Sequence, residues 1–176
     1  LIRAAQEPRY VVPSAPGKGF DKDVKVPDML YACYDLASSG KEFKEQLRAI
    51  EARYQEIIQG LKLKLSLKEE FLTIEKNFNA GAGSNYAASR GEYLNGIIMA
   101  DYLGYEFIDA AEVIFFKENG EFDADTTNKV LSERLAGVER AVIPGFYGSM
   151  PDGRVKTFSR GGSDITGSIV AKAVKA

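Results

Sequence analysis

The segment TFSRGGSDITG, Thr157 to Gly167, sets an arginine, two glycines, a serine and an aspartate directly ahead of the amphipathic run SDITGSIVAKAVKA. In such a segment the glycines let the backbone approach a ligand, and the new helix offers unpaired N–H groups with partial positive charge, which suits an anion. Arg160 adds a fork matched to a carboxylate or phosphate, and Ser163 can cap the helix or donate to the ligand. Asp164, a carboxylate beside an anion site, is suited to holding an ammonium group or a metal, or to organising the arginine. Together these groups ask for a zwitterion. The same residues also make an ordinary strand-to-helix turn, with Ser163 as N-cap and Asp164 favouring the helix dipole, and the spacing leaves both readings open.

A second constellation, ASRGEYLNG, places Glu92 among Ala88, Ser89, Gly91 and Gly96, a small-residue surface that admits a ligand or a neighbouring backbone. Glu92 is equally readable as an exposed helix glutamate, and Phe146, after Pro144 and Gly145, as a core aromatic. The chain has no histidine, which excludes a Ser/His/Asp triad, a Cys/His pair and a histidine-based metal site within it. Neither GxxxxGK[ST] nor GxGxxG occurs. Chemistry without a strong general base stays open. Phosphoryl transfer to a carboxylate is of that kind: the nucleophile is already ionised at neutral pH, so catalysis rests on positioning and charge neutralisation.

The elements that must position these groups alternate in type. Tyr10 to Pro13 is a short β-prone run ending in the glycine-rich turn SAPGKG. Pro27 suits the first turn of a helix with Met29, Leu30, Cys33 and Leu36 on one side. Phe43, Leu47, Ile50, Tyr54 and Ile57 mark a second helix. Ser66 with Glu69 forms a capping-box signature ahead of Leu67, Phe71, Ile74 and Phe78, so 41–79 reads as a helical hairpin. A helix from Tyr86 closes at Gly104; YEFID and AEVIFF have strand chemistry; Asp125 caps a helix through Leu135 that Gly137 ends. RAVIPG reads as a strand, GFYGSMPDGR as a loop, VKTFS as a strand, and the last helix follows. This order predicts an α/β layer structure with a mostly parallel sheet. In such a sheet ligands bind beyond the carboxyl ends of the strands, where SAPGKG, PGFYGS and SRGGSD fall.

With 176 residues and 45% apolar content the chain is long enough for one domain with a sizeable core, or for part of a larger one. A formal charge of −2 with no Lys/Arg block points to no nucleic-acid or acidic-membrane partner. No apolar run approaches the roughly 20 residues needed to span a bilayer. The lone cysteine, Cys33, sits among apolar residues at helical spacing, which suits buried packing and fits a reducing compartment; the expected location is the cytoplasm. LIRAAQ reads as a helix tail and VAKAVKA stops in mid-helix, so a chain cut at both ends is expected.

SRGEYLNG, VIPGFYGS and above all TFSRGGSDITGSIVAKA resemble the corresponding segments of the aspartate kinases, within the amino acid kinase family; YVVPSAPG and the helix after it resemble that family's second strand and loop. The resemblance covers nearly the whole chain, least characteristically at 41–79. It implies a three-layer αβα fold, of which residues 1–176 are a partial catalytic domain, and ATP-dependent phosphorylation of the side-chain carboxylate of L-aspartate to 4-phospho-L-aspartate. That reaction opens the pathway to lysine, threonine and methionine. By motif position, Arg160 would hold a substrate carboxylate, Glu92 the substrate ammonium, and Phe146 would line the pocket. Ser163 and the catalytic Asp164 would complete the substrate end, with Ser14 at its edge. Mg-ATP is the implied co-substrate and a homo-oligomer the implied assembly. The family's opening lysine-bearing glycine strand, its nucleotide-binding segment and its regulatory domains have no match here, so this stretch alone is expected to be inactive. Pro27 stands where many relatives carry a substrate-contacting threonine. Kinases of glutamate or acetylglutamate, and a noncatalytic binding or assembly module, are the alternatives.

Overall fold

The computed structural model describes residues 9–18, 24–159 and 161–176. They form two compact units: Ala15–Leu94, and the residues up to Ser14 together with Asn95–Ala176.

The first of these is helical. Its elements are α1 (Val26–Ser38), α2 (Lys44–Gly60), α3 (Lys68–Asn79) and the N-terminal part of α4 (Ser84–Leu103). Pro27 and Asp28 occupy the first turn of α1, where a missing N–H costs nothing and an acid favours the dipole. Glu69 and Glu70 open α3 and Lys76 closes it, complementing the dipole at both ends. The helices bury Leu30, Cys33, Leu47, Ile50, Tyr54, Ile58, Phe71, Ile74 and Phe78, each large aliphatic or aromatic side chain contributing about 1.5–3 kcal/mol. The hairpin expected over 41–79 is therefore present, with two local corrections. Ile58 rather than Ile57 closes the buried stripe of α2, because steps of four from Ile50 and Tyr54 stay on the core face. No capping box forms: the N-cap of α3 is Leu67, and the Ser66 hydroxyl accepts only a long 3.4 Å bond from the Lys68 N–H.

The other unit carries a parallel sheet of β1 (Tyr10–Val11), β2 (Glu106–Phe107) and β3 (Ala141–Val142), in the order β1-β3-β2. Tyr10 lies opposite Ala141 and Glu106 opposite the same residue on the other side. Val11, Ala100 and Val142 form a core cluster against which Met99, Leu103, Tyr105 and Phe107 pack. Helix α4 ends at Gly104, whose φ of 70° only glycine adopts without strain. Three expectations are revised. The first three residues of AEVIFF, with Ala110 before them, form the short helix α5 (Ala110–Val113), capped by Asp109 accepting from the Ala111 N–H. Helix α6 (Ala124–Leu135) is capped by Asp123, not Asp125: the Asp123 carboxylate reaches both the N–H and the hydroxyl of Thr126. The stretch read as a loop after Phe146 contains β4 (Tyr147–Ser149), which pairs antiparallel with β5 (Val155–Thr157). Helix α7 (Gly162–Ala173) follows. Among the described residues no helix is long and apolar enough to cross a membrane.

Candidate functional site

In the sheet-bearing unit, the backbone exits from β1 and β3 run side by side. The Ala141 and Ile143 N–H groups donate to Arg9 and Val11, and the ladder is prolonged by the Gly145 N–H donating to Pro13 C=O at 3.1 Å. Ser14 therefore lies at the carboxyl end of the sheet, exposed, its C=O accepting from the Asn95 side chain at 2.6 Å. Phe146, directly after Gly145, has φ +82°, a left-handed backbone rare for a bulky residue and costing on the order of 1–3 kcal/mol. Such strain persists only where the surroundings impose it.

They do so here. The Phe146 N–H donates to the Thr166 hydroxyl at 3.1 Å, and its C=O accepts from the Phe158 N–H at 2.9 Å. The first turn of α7 presses against it: a Cβ on Gly162 would stand 2.6 Å from Phe146 Cδ2 and 2.8 Å from its Cα. Gly161, with φ +59°, is the N-cap of α7; Ser163, read from the sequence as a possible cap, makes no cap bond and packs instead on Gly145. A capping side chain accepts from the N–H groups two or three residues ahead of it, and here the N-cap position belongs to Gly161, which has no side chain to do so. Asp164 is exposed in the same turn. Ser14, Phe146, Ser163 and Asp164 are thus gathered at one end of the parallel sheet, while Arg160 lies outside the described residues.

Glu92 belongs to the helical unit. It is 7% exposed on α4, and its Oε2 has no hydrogen-bond partner among the described residues. Burial raises its carboxyl pKa from 4.5 to about 7, against the opposing pull of its own and the Ala15 backbone N–H groups and of the Arg90 charge. The Ala15 contact depends on Gly91: a Cβ there would meet Ala15 Cβ at 2.8 Å. Tyr54, wholly buried, donates to Gly91 C=O at 2.8 Å and steadies the same turn of α4. A buried carboxylate with one oxygen unspent is costly unless a cationic group completes it. The sequence signalled Glu92 through its small neighbours, but it gave no sign that the side chain is buried with one oxygen left without a partner among the described residues.

Sequence reasoning also missed Thr166, which lies four residues after Gly162 and donates to its C=O at 2.8 Å, and the Tyr147–Asp109 hydrogen bond of 2.6 Å that anchors the strand after Phe146. The first carries a faint signal, since Thr within a helix often bonds the carbonyl one turn back. The second carries none. Among the described residues no group of three or more Cys, Asp or Glu side chains gathers as a metal site.

Comparison with known proteins gives a consistent result. The profile of the amino acid kinase family matches residues 3–176. Aspartokinase 3 of Bacillus subtilis (strain 168) is 34% identical over 183 aligned residues, covering 96% of this chain and 40% of that protein. The crystal structure of Clostridium acetobutylicum aspartate kinase superposes with a TM-score of 0.95 at 48% identity, covering 99% of this chain and 40% of that one. E. coli aspartokinase III, solved in complex with aspartate and ADP, shares the fold at a TM-score of 0.77 and 22% identity, over 99% of this chain and 42% of its own. The chain spans about 40% of the length of these relatives. With its α/β architecture, its parallel sheet and a profile match over nearly every residue, the chain belongs to the amino acid kinase family.

Proposed function

We propose that the protein carrying this chain is an aspartate kinase. In this reading a side-chain carboxylate oxygen of L-aspartate attacks the terminal phosphorus of ATP, the bond from that phosphorus to the bridging oxygen breaks, and 4-phospho-L-aspartate and ADP leave. This is the first step toward lysine, threonine and methionine. The observation that carries it is the 48% identity to the Clostridium acetobutylicum enzyme over 99% of the chain. Both this relative and the Bacillus subtilis protein are aspartate kinases, which favours aspartate over glutamate or acetylglutamate as acceptor.

The roles follow the charges. Arg160 pairs with a substrate carboxylate, and Glu92, with its unspent oxygen, receives the ammonium group. Phe146 and Ser163 shape the pocket, Ser14 sits at its edge, and Asp164 is the catalytic residue that, with Ser163, completes the substrate end and organises the arginine. The nucleotide arrives as Mg-ATP. The protein works in the cytoplasm as a homo-oligomer. The test is aspartate-dependent ADP formation by the complete protein, with Arg160→Ala and Glu92→Ala each expected to reduce kcat/KM for aspartate by about 100-fold or more, the scale of losing a charge-assisted contact. Turnover with glutamate but not aspartate would refute the substrate, and near-normal kinetics for both variants would refute the residue roles.

A further inference from the structure

We infer that Thr166, a residue with no assigned role, is a positioning residue for the acceptor amino acid: its hydroxyl is the clasp that sets the Phe146 backbone against the first turn of α7. The inference rests on the reading of this end of the sheet as an amino-acid pocket.

Thr166 is completely buried. Its hydroxyl has one proton and two lone pairs, and both kinds of bonding are in use. It donates to Gly162 C=O at 2.8 Å and accepts from the Phe146 N–H at 3.1 Å, across a separation of 20 residues. The first bond is an ordinary back-bond within a helix. The second is not, because it joins α7 to a residue whose φ of +82° the chain would not adopt unaided. One hydroxyl therefore measures the gap between the two segments that supply Phe146, Ser163 and Asp164. The contacts at Gly162 leave no slack: Phe146 Cα would lie 2.8 Å from a Cβ placed there, so a shift of the clasp moves the ring and the helix turn against each other.

Chemically, the demand is for a small side chain with a hydroxyl at that point. Serine meets it. Valine keeps the shape and loses both bonds, leaving the Phe146 N–H without its acceptor in a partly buried place. If the clasp sets the pocket wall, its loss should weaken use of the amino acid while sparing the nucleotide.

The experiment compares Thr166→Ser, Thr166→Val and Thr166→Ala in the complete protein. Thr166→Val and Thr166→Ala are expected to raise KM for aspartate by about tenfold or more, with KM for ATP changed by less than about threefold, and Thr166→Ser to restore wild-type values. Hydrogen exchange supplies a readout independent of turnover: the Phe146 amide is protected in wild type and Thr166→Ser and loses protection in the other two. Should Thr166→Val not fold, Thr166→Ala carries the comparison. Equal kinetics and equal Phe146 protection in all variants would overturn the inference. So would a loss of kcat, both KM values and thermal stability together that serine fails to rescue, since that marks a general packing role. Wild-type protein without aspartate-dependent ADP formation would sink the reading of the reaction, and this inference with it; that outcome is distinct because the variants then have no activity to lose.

Discussion

Gly145 and Ser163 are in such close contact that a Cβ on Gly145 would stand 2.6 Å from the Ser163 Oγ and 2.7 Å from its Cα. The strand exit that leads into Phe146 and the helix turn that carries Asp164 are therefore set against each other with only the small Ser163 side chain at the contact. Replacing Gly145 with alanine must displace backbone, since the Ser163 Cα cannot rotate away. Gly145→Ala is expected to lower the unfolding free energy by about 1–3 kcal/mol and to reduce kcat/KM for aspartate by about 10- to 100-fold. Denaturant unfolding and steady-state kinetics on the complete protein check both, and an unperturbed variant would show that the turn can yield.

Glu92 makes the proposed binding step pH-dependent. Its carboxyl, raised from 4.5 to about 7 by burial, is partly protonated at neutral pH in the ligand-free protein. An ammonium group favours the ionised form, so aspartate binding should release protons near pH 7, and affinity should rise from about pH 6 to 8 and then level. Calorimetry in buffers of different ionisation enthalpy measures that release, and Glu92→Gln should abolish it. Stability runs the opposite way. Because the folded pKa is raised, the contribution of Glu92 is full below about 4.5 and is lost as pH rises through about 7, by roughly 3 kcal/mol at most. Ligand-free Glu92→Gln should accordingly gain on wild type over that interval; a constant difference across it would contradict the buried placement.

Tyr54 tests the support beneath Glu92. Its phenol is wholly buried and donates to Gly91 C=O, and burial holds its pKa well above 10, so it is a neutral donor at every working pH. Tyr54→Phe removes one oxygen and strips the Gly91 carbonyl of this partner. A loss of about 1–2 kcal/mol in unfolding free energy is expected, with the urea m-value unchanged.

Tyr147 and Asp109 offer a double-mutant cycle. The 2.6 Å bond between them ties α5 to β4, which the Ser149 hydroxyl, donating to Ala111 C=O at 2.7 Å, ties a second time. Tyr147→Phe and Asp109→Asn should each destabilise the protein, and the pair should show a coupling of about 1–2 kcal/mol. Additive losses would mean that the bond contributes nothing beyond packing.

What the sequence determined by itself was the part governed by local rules. Apolar steps of three and four placed α2 and α3, Pro27 opened α1, Gly104 closed α4, and the strand-then-helix order announced a parallel sheet. Motif resemblance at SRGGSD and RGE pointed to the family before any coordinate. Tertiary structure decided what depends on partners distant along the chain. Asp123 and not Asp125 caps α6, since only its carboxylate meets the Thr126 N–H; Tyr147–Ser149 within GFYGSM pairs as a strand, since Val155–Thr157 supplies the ladder its composition does not advertise. The left-handed Phe146 exists because Thr166 and Phe158 bond its backbone, and Glu92 is poised near neutrality because its surroundings exclude water. Strain and desolvation are properties of an environment, and no single stretch of residues contains its own environment.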